Sequence, residues 1–284
     1  MNKTNAPGRR VLVTGGASGL GAALVSAFAA RGDRVLATDL AEQAPEALPR
    51  GAEYLRLDVT SDDDWTAALA RVEEAWGGLD VLVNNAGVAA GGRIDHLTLD
   101  DWRWITEINL FGVVRGCRTF TPMLKRQGSG YIVNTASAAG LIHPPTMSSY
   151  NAVKAAVVAL SETLQHELAP YGVTTSVVCP SFFRTNLASS LRGGDPAVEA
   201  SAGKLINGSK LTADEIAAEV LKGMDRRRPV ILTDRAGRTA LRAKRWLRPL
   251  YDRTMRRTAE GVRRRVERGG PAAKTGTTST EKHA

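Results

Sequence analysis

The chain has 284 residues, of which 43% are hydrophobic and 24% charged, a balance that suits one large globular α/β domain rather than a disordered or fibrous chain. No apolar run approaches the ~18–20 residues that a membrane-spanning helix needs, and MNKTNAPGRR leads directly into the strand-like VLVTGG, without room for a secretory leader. The formal charge of +9 is unevenly placed: 16 basic and 4 acidic residues fall within 226–268, leaving 22 basic and 25 acidic elsewhere.

In chain order, apolar strand-like runs occur at RVLVTG, RVLATD, EYLRLD, VLVNNA, GYIVNTAS and TTSVVCP, with a short PVILT near residue 230. Helical patterns lie between them at 20–31, 62–77, 100–127, 150–170 and 212–225. Ser61 or Asp62 is placed to cap the helix after the third strand, and Thr98 the next one. Alternating β and α elements predict a doubly wound parallel sheet of about seven strands covered by helices on both faces. The expected organisation is one domain over 1–235, a substrate loop at 186–210, a basic helical extension over 236–268 and a disordered tail over 269–284. Cys117 and Cys179 sit in apolar stretches and read as buried thiols. The four histidines show no metal-ligand spacing, so no metal is expected. A reduced, cytoplasmic setting follows.

Tyr150 and Lys154 lie four apart in SSYNAVKAAVVALSETL, with Ser137 thirteen residues upstream in NTASAAG. One helical turn puts the phenol and the ammonium on one face. A fixed cation favours a phenolate; bringing a phenol from its ordinary value of ~10 toward neutral pH takes about 4 kcal/mol of differential interaction. That is an arrangement for general acid–base work. After the first strand, TGGASGLG sets Gly15, Gly19 and Gly21 in a G-x-x-x-G-x-G pattern, where glycine permits close approach to a diphosphate at a helix N-terminus. Asp39 closes the second strand, 18 residues beyond Gly21, where a carboxylate can accept from ribose hydroxyls and repel a 2′-phosphate. Neither Ala17 nor Ser18 supplies a cation, so NAD is expected over NADP.

With TGGASGLG, Asp58-Val59, NNAG at 84–87, Asn109, Ser137, Tyr150-x-x-x-Lys154 and PSFFRT at 180–185 in order, the chain resembles the short-chain dehydrogenase/reductase family over about 9–235. The resemblance implies a Rossmann-type sheet, a nicotinamide cofactor and an Asn109, Ser137, Tyr150, Lys154 active site. In that reading Gly15, Ala17, Ser18, Gly19, Leu20 and Gly21 hold the diphosphate side of the cofactor. Asp39 meets the ribose, and Asp58 and Val59 the adenine. Asn85, Ala86 and Gly87 line the cofactor, as do Pro180 and Phe183, and Thr185 holds the carboxamide. Tyr150 exchanges the proton, Lys154 lowers its pKa and bonds the nicotinamide ribose, Ser137 bonds the substrate oxygen, and Asn109 holds a water. Ser181 stands where the family usually has glycine.

Pocket candidates are Leu141, Ile142, His143, Pro144 and Met147 after Ser137, with Phe182, Phe183 and Leu187. Few are charged, which favours a small, mostly apolar secondary alcohol or ketone. The rival readings are an NADPH-dependent ketone reductase and a nucleotide-binding sensor without turnover. Helices 100–127 and 150–170 resemble those the family pairs between subunits, so a homotetramer or homodimer is expected. The basic stretch mixes Leu241, Trp246, Leu247, Leu250, Tyr251 and Met255 with arginines. It reads either as a helix packed on the body or a neighbour, or as a peripheral membrane contact through 236–268. Nothing in the chain resembles a nucleic-acid reading motif.

Overall fold

The computed structural model describes residues 8–184, 208–209 and 211–269. Thr185, Leu187, nearly all of the 186–210 loop and residues 270–284 lie outside that range. Seven strands form one sheet: β1 (Arg10–Thr14), β2 (Arg34–Asp39), β3 (Glu53–Arg56), β4 (Val81–Asn84), β5 (Gly130–Thr135), β6 (Val173–Cys179) and β7 (Val230–Leu232). Their order is β3-β2-β1-β4-β5-β6-β7 and every neighbouring pair is parallel. All seven coincide with the apolar runs read from the sequence.

Side chains alternate across the sheet with a period of two. In β1, Leu12 joins Leu36, Leu82, Ile132 and Val177 on one face, against Trp65, Phe120 and Val157. Val11 and Val13 join Val35, Val81, Val83 and Val178 on the other, against Leu24, Phe28, Ile216 and Val220. Both faces are therefore dry, which is why the strands are apolar runs rather than alternating ones.

The helices are α1 (Gly19–Ala30), α2 (Asp62–Trp76), α3 (Leu99–Thr106), α4 (Gly112–Gln127), α5 (Ala139–Ile142), α6 (Ser148–Leu168), α7 (Ala213–Asp225), α8 (Arg235–Trp246) and α9 (Arg248–Gly269). Ser61 caps α2 by accepting from Asp64 N, and Thr98 forms a reciprocal capping box with Asp101 at the start of α3. The single helix expected over 100–127 is divided by a π-helical turn, Glu107–Phe111. The wide turn swings Asn109 inward, where its side chain pairs with both main-chain groups of Val88: Val88 N donates to Oδ1 and Nδ2 donates to Val88 O, each at 2.8 Å.

Candidate active site

Strand order reverses between β1 and β4, and the site lies in the crevice at the carboxyl ends of these strands and of β5 and β6. A cleft of about 1140 Å³ opens there, lined by Gly15, Ser18, Asp39, Asp58, Asn85, Ser137, Tyr150, Lys154 and Pro180 among others. Residues read from distant sequence segments are thus brought into one cavity.

On the nucleotide side, Gly15 and Gly19 adopt φ of 64° and 53°. A Cβ on Gly21 would lie 1.8 Å from Gly15 O, so only glycine lets α1 enter this close to the turn. Ser18 stands at the N-cap without a side-chain capping bond, and the first turn of α1 holds no acidic residue, leaving a helix end suited to an anion. Asn85 ties the loop down: its Nδ2 donates to Thr14 O at 3.0 Å, while Asn85 N and Ala86 N donate to Thr14 Oγ1. Asp39 is held at the end of β2 by Ala17 N on Oδ2, 2.9 Å, and by Leu40 N on Oδ1, 2.8 Å. The basic residues flanking the strands are engaged elsewhere: Arg10 forks onto Asp80, and Arg34 pairs with Glu53 and stacks on Trp76. Asp58 holds Thr60 through its Oδ1, and Val59 is wedged against Gly112. Of the cofactor contacts expected by resemblance, all but Thr185 can be placed. Leu20, Gly19, Val59, Ala86, Gly87 and Phe183 line the same cleft. The spacing of glycines, the strand-end carboxylate and the enclosed trough fit a dinucleotide.

The side chains expected to be catalytic converge beside this trough. Tyr150, 7% exposed, and Lys154, 4% exposed, share one face of α6. Ser137 sits after β5, its Oγ accepting from Ala139 N at 3.1 Å and donating to Pro180 O at 3.4 Å, close enough to the Tyr150 phenol to influence its titration. Lys154 Nζ donates to Thr135 O at 3.0 Å and lies 5.8 Å from the centre of the Tyr150 ring. The lowered phenol pKa expected from the lysine is not what this geometry gives. Burial pushes the Tyr150 phenol up, with the Ser137 hydroxyl acting the other way, because Nζ is turned to the Thr135 carbonyl rather than to the hydroxyl. Burial likewise pushes the Lys154 ammonium down to about 8. Asn109 touches neither Tyr150 nor Lys154 by any of its side-chain hydrogen bonds, which go to Val88; it shapes the floor beside Gly87, where a Cβ would meet Asn109 Oδ1 at 2.9 Å. Both cysteines are buried, as read from the sequence, and burial pushes each thiol up to about 12.

A family model described as short chain dehydrogenase matches residues 9–195. The chain belongs to that family. Over 182 residues it is 38% identical to a 3-alpha-(or 20-beta)-hydroxysteroid dehydrogenase of Mycobacterium tuberculosis, covering 63% of this chain and 70% of the relative. It is 33% identical over 198 residues to an NADP-dependent (R)-specific alcohol dehydrogenase of Lentilactobacillus kefiri, covering 66% and 78%. Among solved structures it resembles a short chain dehydrogenase/reductase from Burkholderia phymatum in complex with NAD, with TM-score 0.77 and 34% identity over 83% of this chain and 92% of that one. As a short-chain dehydrogenase, the chain has an oxidoreductase fold acting at the alcohol or carbonyl level.

The substrate end departs from the sequence reading in two ways. Met147, Phe182, Ile142 and Pro144 line the cleft, but Leu141 and His143 do not. Leu141 packs into the core, and His143 turns outward in a left-handed conformation at φ 50°. Its Nε2–H donates to Gly140 O at 3.0 Å, while Nδ1 accepts from Lys244 Nζ at 2.8 Å. The basic extension also contributes to the wall: Ala236, Gly237 and Ala240 of α8 line the cleft, as does Trp104 of α3. Lys244 Nζ donates to Leu141 O, and the buried Tyr251 donates its hydroxyl to Ile142 O. Ser181, the departure from the family pattern, packs against Gly237, where a Cβ would lie 2.9 Å from Ser181 Oγ. The small residues of α8 resemble an ordinary solvent helix in sequence; the only hint was their spacing, i, i+1 and i+4 on one face.

Proposed function

We propose that the protein is an NAD-dependent oxidoreductase that interconverts a secondary alcohol and a ketone on a small, mostly apolar substrate. The observation that carries this is the convergence of Ser137, Tyr150 and Lys154 on the dinucleotide trough. The bound nicotinamide supplies the hydride acceptor or donor. Tyr150 holds the proton that leaves the hydroxyl in oxidation or reaches the alkoxide in reduction. Ser137 orients the substrate oxygen and stabilises charge developing on it. Lys154 adds positive charge behind the phenol and is within one helical turn of it, and Asn109 fixes the Val88 segment that borders the cleft.

The choice of NAD rests on Asp39, fixed by two main-chain N–H groups where a 2′-phosphate would have to sit, with Arg10 and Arg34 committed to Asp80 and Glu53. The relatives divide on this point, one being named NADP-dependent and one solved with NAD. The cleft walls contributed by Val88, Trp104, Ile142, Met147, Phe182 and Ala240 support an apolar substrate. A homotetramer or homodimer is supported by Leu99 and Phe111, which the α3–α4 pair leaves at the surface. The test is a 340 nm assay with NAD and NADP against secondary alcohols, including hydroxysteroids and aryl carbinols. NAD-dependent turnover lost in Tyr150→Phe, with NADH binding retained, is the expected result. Preference for NADP, or substantial turnover by Tyr150→Phe, would overturn the respective assignment.

A further inference from the structure

Helices α8 and α9 meet in an elbow. Leu247 ends α8 with φ −125° and ψ 46°, and Pro249 stands in the first turn of α9, where a missing N–H costs no helical bond. The inner side of the elbow is fixed to the body through Lys244 and the buried Tyr251. The outer side is not: Trp246, Leu247 and Leu250 are 74%, 56% and 59% exposed. Three large apolar side chains thus stand in water within five positions. Arg242, Arg245, Arg248 and Arg253 surround them in sequence and are exposed. The Arg245 guanidinium stacks over the Trp246 ring at 5.3 Å, and Asp252 is paired with Arg248. Residues 235–269 hold 13 basic and 3 acidic residues, whereas the rest of the chain holds 25 and 26. The positive charge is concentrated where the apolar side chains are exposed.

We propose that this elbow docks the protein on an anionic bilayer surface, with Trp246, Leu247 and Leu250 entering the headgroup–acyl boundary and the arginines meeting lipid phosphates. An apolar knuckle flanked by exposed arginines, one of them stacked on Trp246, is complementary to that environment on both counts. A second copy is a poorer occupant, because an isologous contact would bring the same arginines against themselves. Nucleic acid would satisfy the arginines but leave Leu247 and Leu250 facing phosphates. No helix among the described residues is long and apolar enough to cross a membrane, so the contact is peripheral. The same helix that carries the elbow lines the cleft with Ala236, Gly237 and Ala240, so docking places the cleft wall beside the lipid.

Vesicle flotation of the full chain tests this without requiring turnover, so it stands or falls independently of the proposed reaction. The protein is expected to float with phosphatidylcholine vesicles containing phosphatidylglycerol, not with phosphatidylcholine alone, and to be released by high salt. Each arginine removed in Arg242→Gln and Arg245→Gln should weaken partitioning about fivefold. Trp246→Ala with Leu250→Ala should weaken it at least about tenfold, with circular dichroism and NADH binding retained. A blue shift of tryptophan emission on vesicle addition should disappear in Trp246→Phe, a milder variant that keeps an aromatic side chain without the indole. Absence of flotation, equal flotation on neutral vesicles, or undiminished binding by the apolar double variant would overturn the proposal. So would a change of light-scattering mass in that variant without any effect on vesicles, which would assign the elbow to a second copy.

Discussion

Lys154 is a cation buried beside an apolar helix face, and replacing it by methionine separates what it does for the fold from what it does for the reaction. Its ammonium is pushed down to about 8 from the ordinary 10.5 by burial. A lysine whose folded pKa is depressed destabilises the folded state fully below about 8, and that penalty fades as pH rises toward 10.5. From the two values the penalty is about 3 kcal/mol at pH 7 and about 1 kcal/mol at pH 10. Methionine removes the penalty at both pH values but also removes the hydrogen bond to Thr135 O, a loss of about 1–2 kcal/mol. Lys154→Met should therefore be more stable than the parent at pH 7, by about 1–2 kcal/mol, and close to it at pH 10. The difference between the two pH values, about 2–3 kcal/mol, does not depend on the hydrogen-bond term. Urea unfolding of both proteins at both pH values, without cofactor, measures it; titrating groups not coupled to Lys154 cancel in the comparison, and the coupled Cys179 thiol, pushed up to about 12, stays protonated in the folded state at both pH values. The same variant should have lost turnover. A stability difference that is the same at pH 7 and pH 10, or a variant less stable at pH 7 than at pH 10 relative to the parent, would refute the placement of Lys154 as a desolvated cation.

Two further predictions follow from the cleft. Gly21→Ala should abolish NADH binding in a fluorescence titration while preserving the circular dichroism spectrum, because the added Cβ meets Gly15 O at 1.8 Å. Binding near the parental level would show that the turn is not the dinucleotide cradle. Lys244→Met should raise KM more than it changes kcat, by about tenfold or less, since the bonds from Nζ to the Leu141 carbonyl and to His143 Nδ1 are both lost. Lys244→Arg should restore it partly, and NADH affinity should stay unchanged in both. An equal fall in kcat and kcat/KM would instead implicate the chemical step.

The strands were legible because a sheet dry on both faces demands near-continuous apolar runs, which β1, β2 and β4 supply, whereas the edge strand β3, Glu53–Arg56, is only half-buried and mixed in sequence. The placement of Tyr150 and Lys154 on one cleft-facing side of α6 was legible because helical geometry brings residues four apart together. The π turn at Glu107–Phe111 was not, since EINLF carries no propensity signal for it; what selects the wide turn is the pairing of Asn109 with Val88, 21 positions away. Leu141 and His143 were misplaced for a related reason. Proximity to Ser137 suggested the pocket, but the direction of the loop is set by Lys244, more than 100 residues further on. The phenol pKa was misjudged because sequence shows which charges are near and not how deeply they are buried.

Synthesis on the ribosome gives this wall a place in time. β1 is central in the sheet, and its partner β4 lies 70 positions away, so the nucleotide half can assemble only after that distance has emerged. Tyr251 reaches back 109 positions to Ile142, later than any strand. At roughly 5–20 residues per second, the interval between those two segments is on the order of ten seconds. A nascent chain therefore passes through a stage in which the sheet and its dinucleotide trough are present while the cleft still lacks one side. Truncations that stop after β7 would freeze that stage, a nucleotide-binding body with an unfinished substrate mouth.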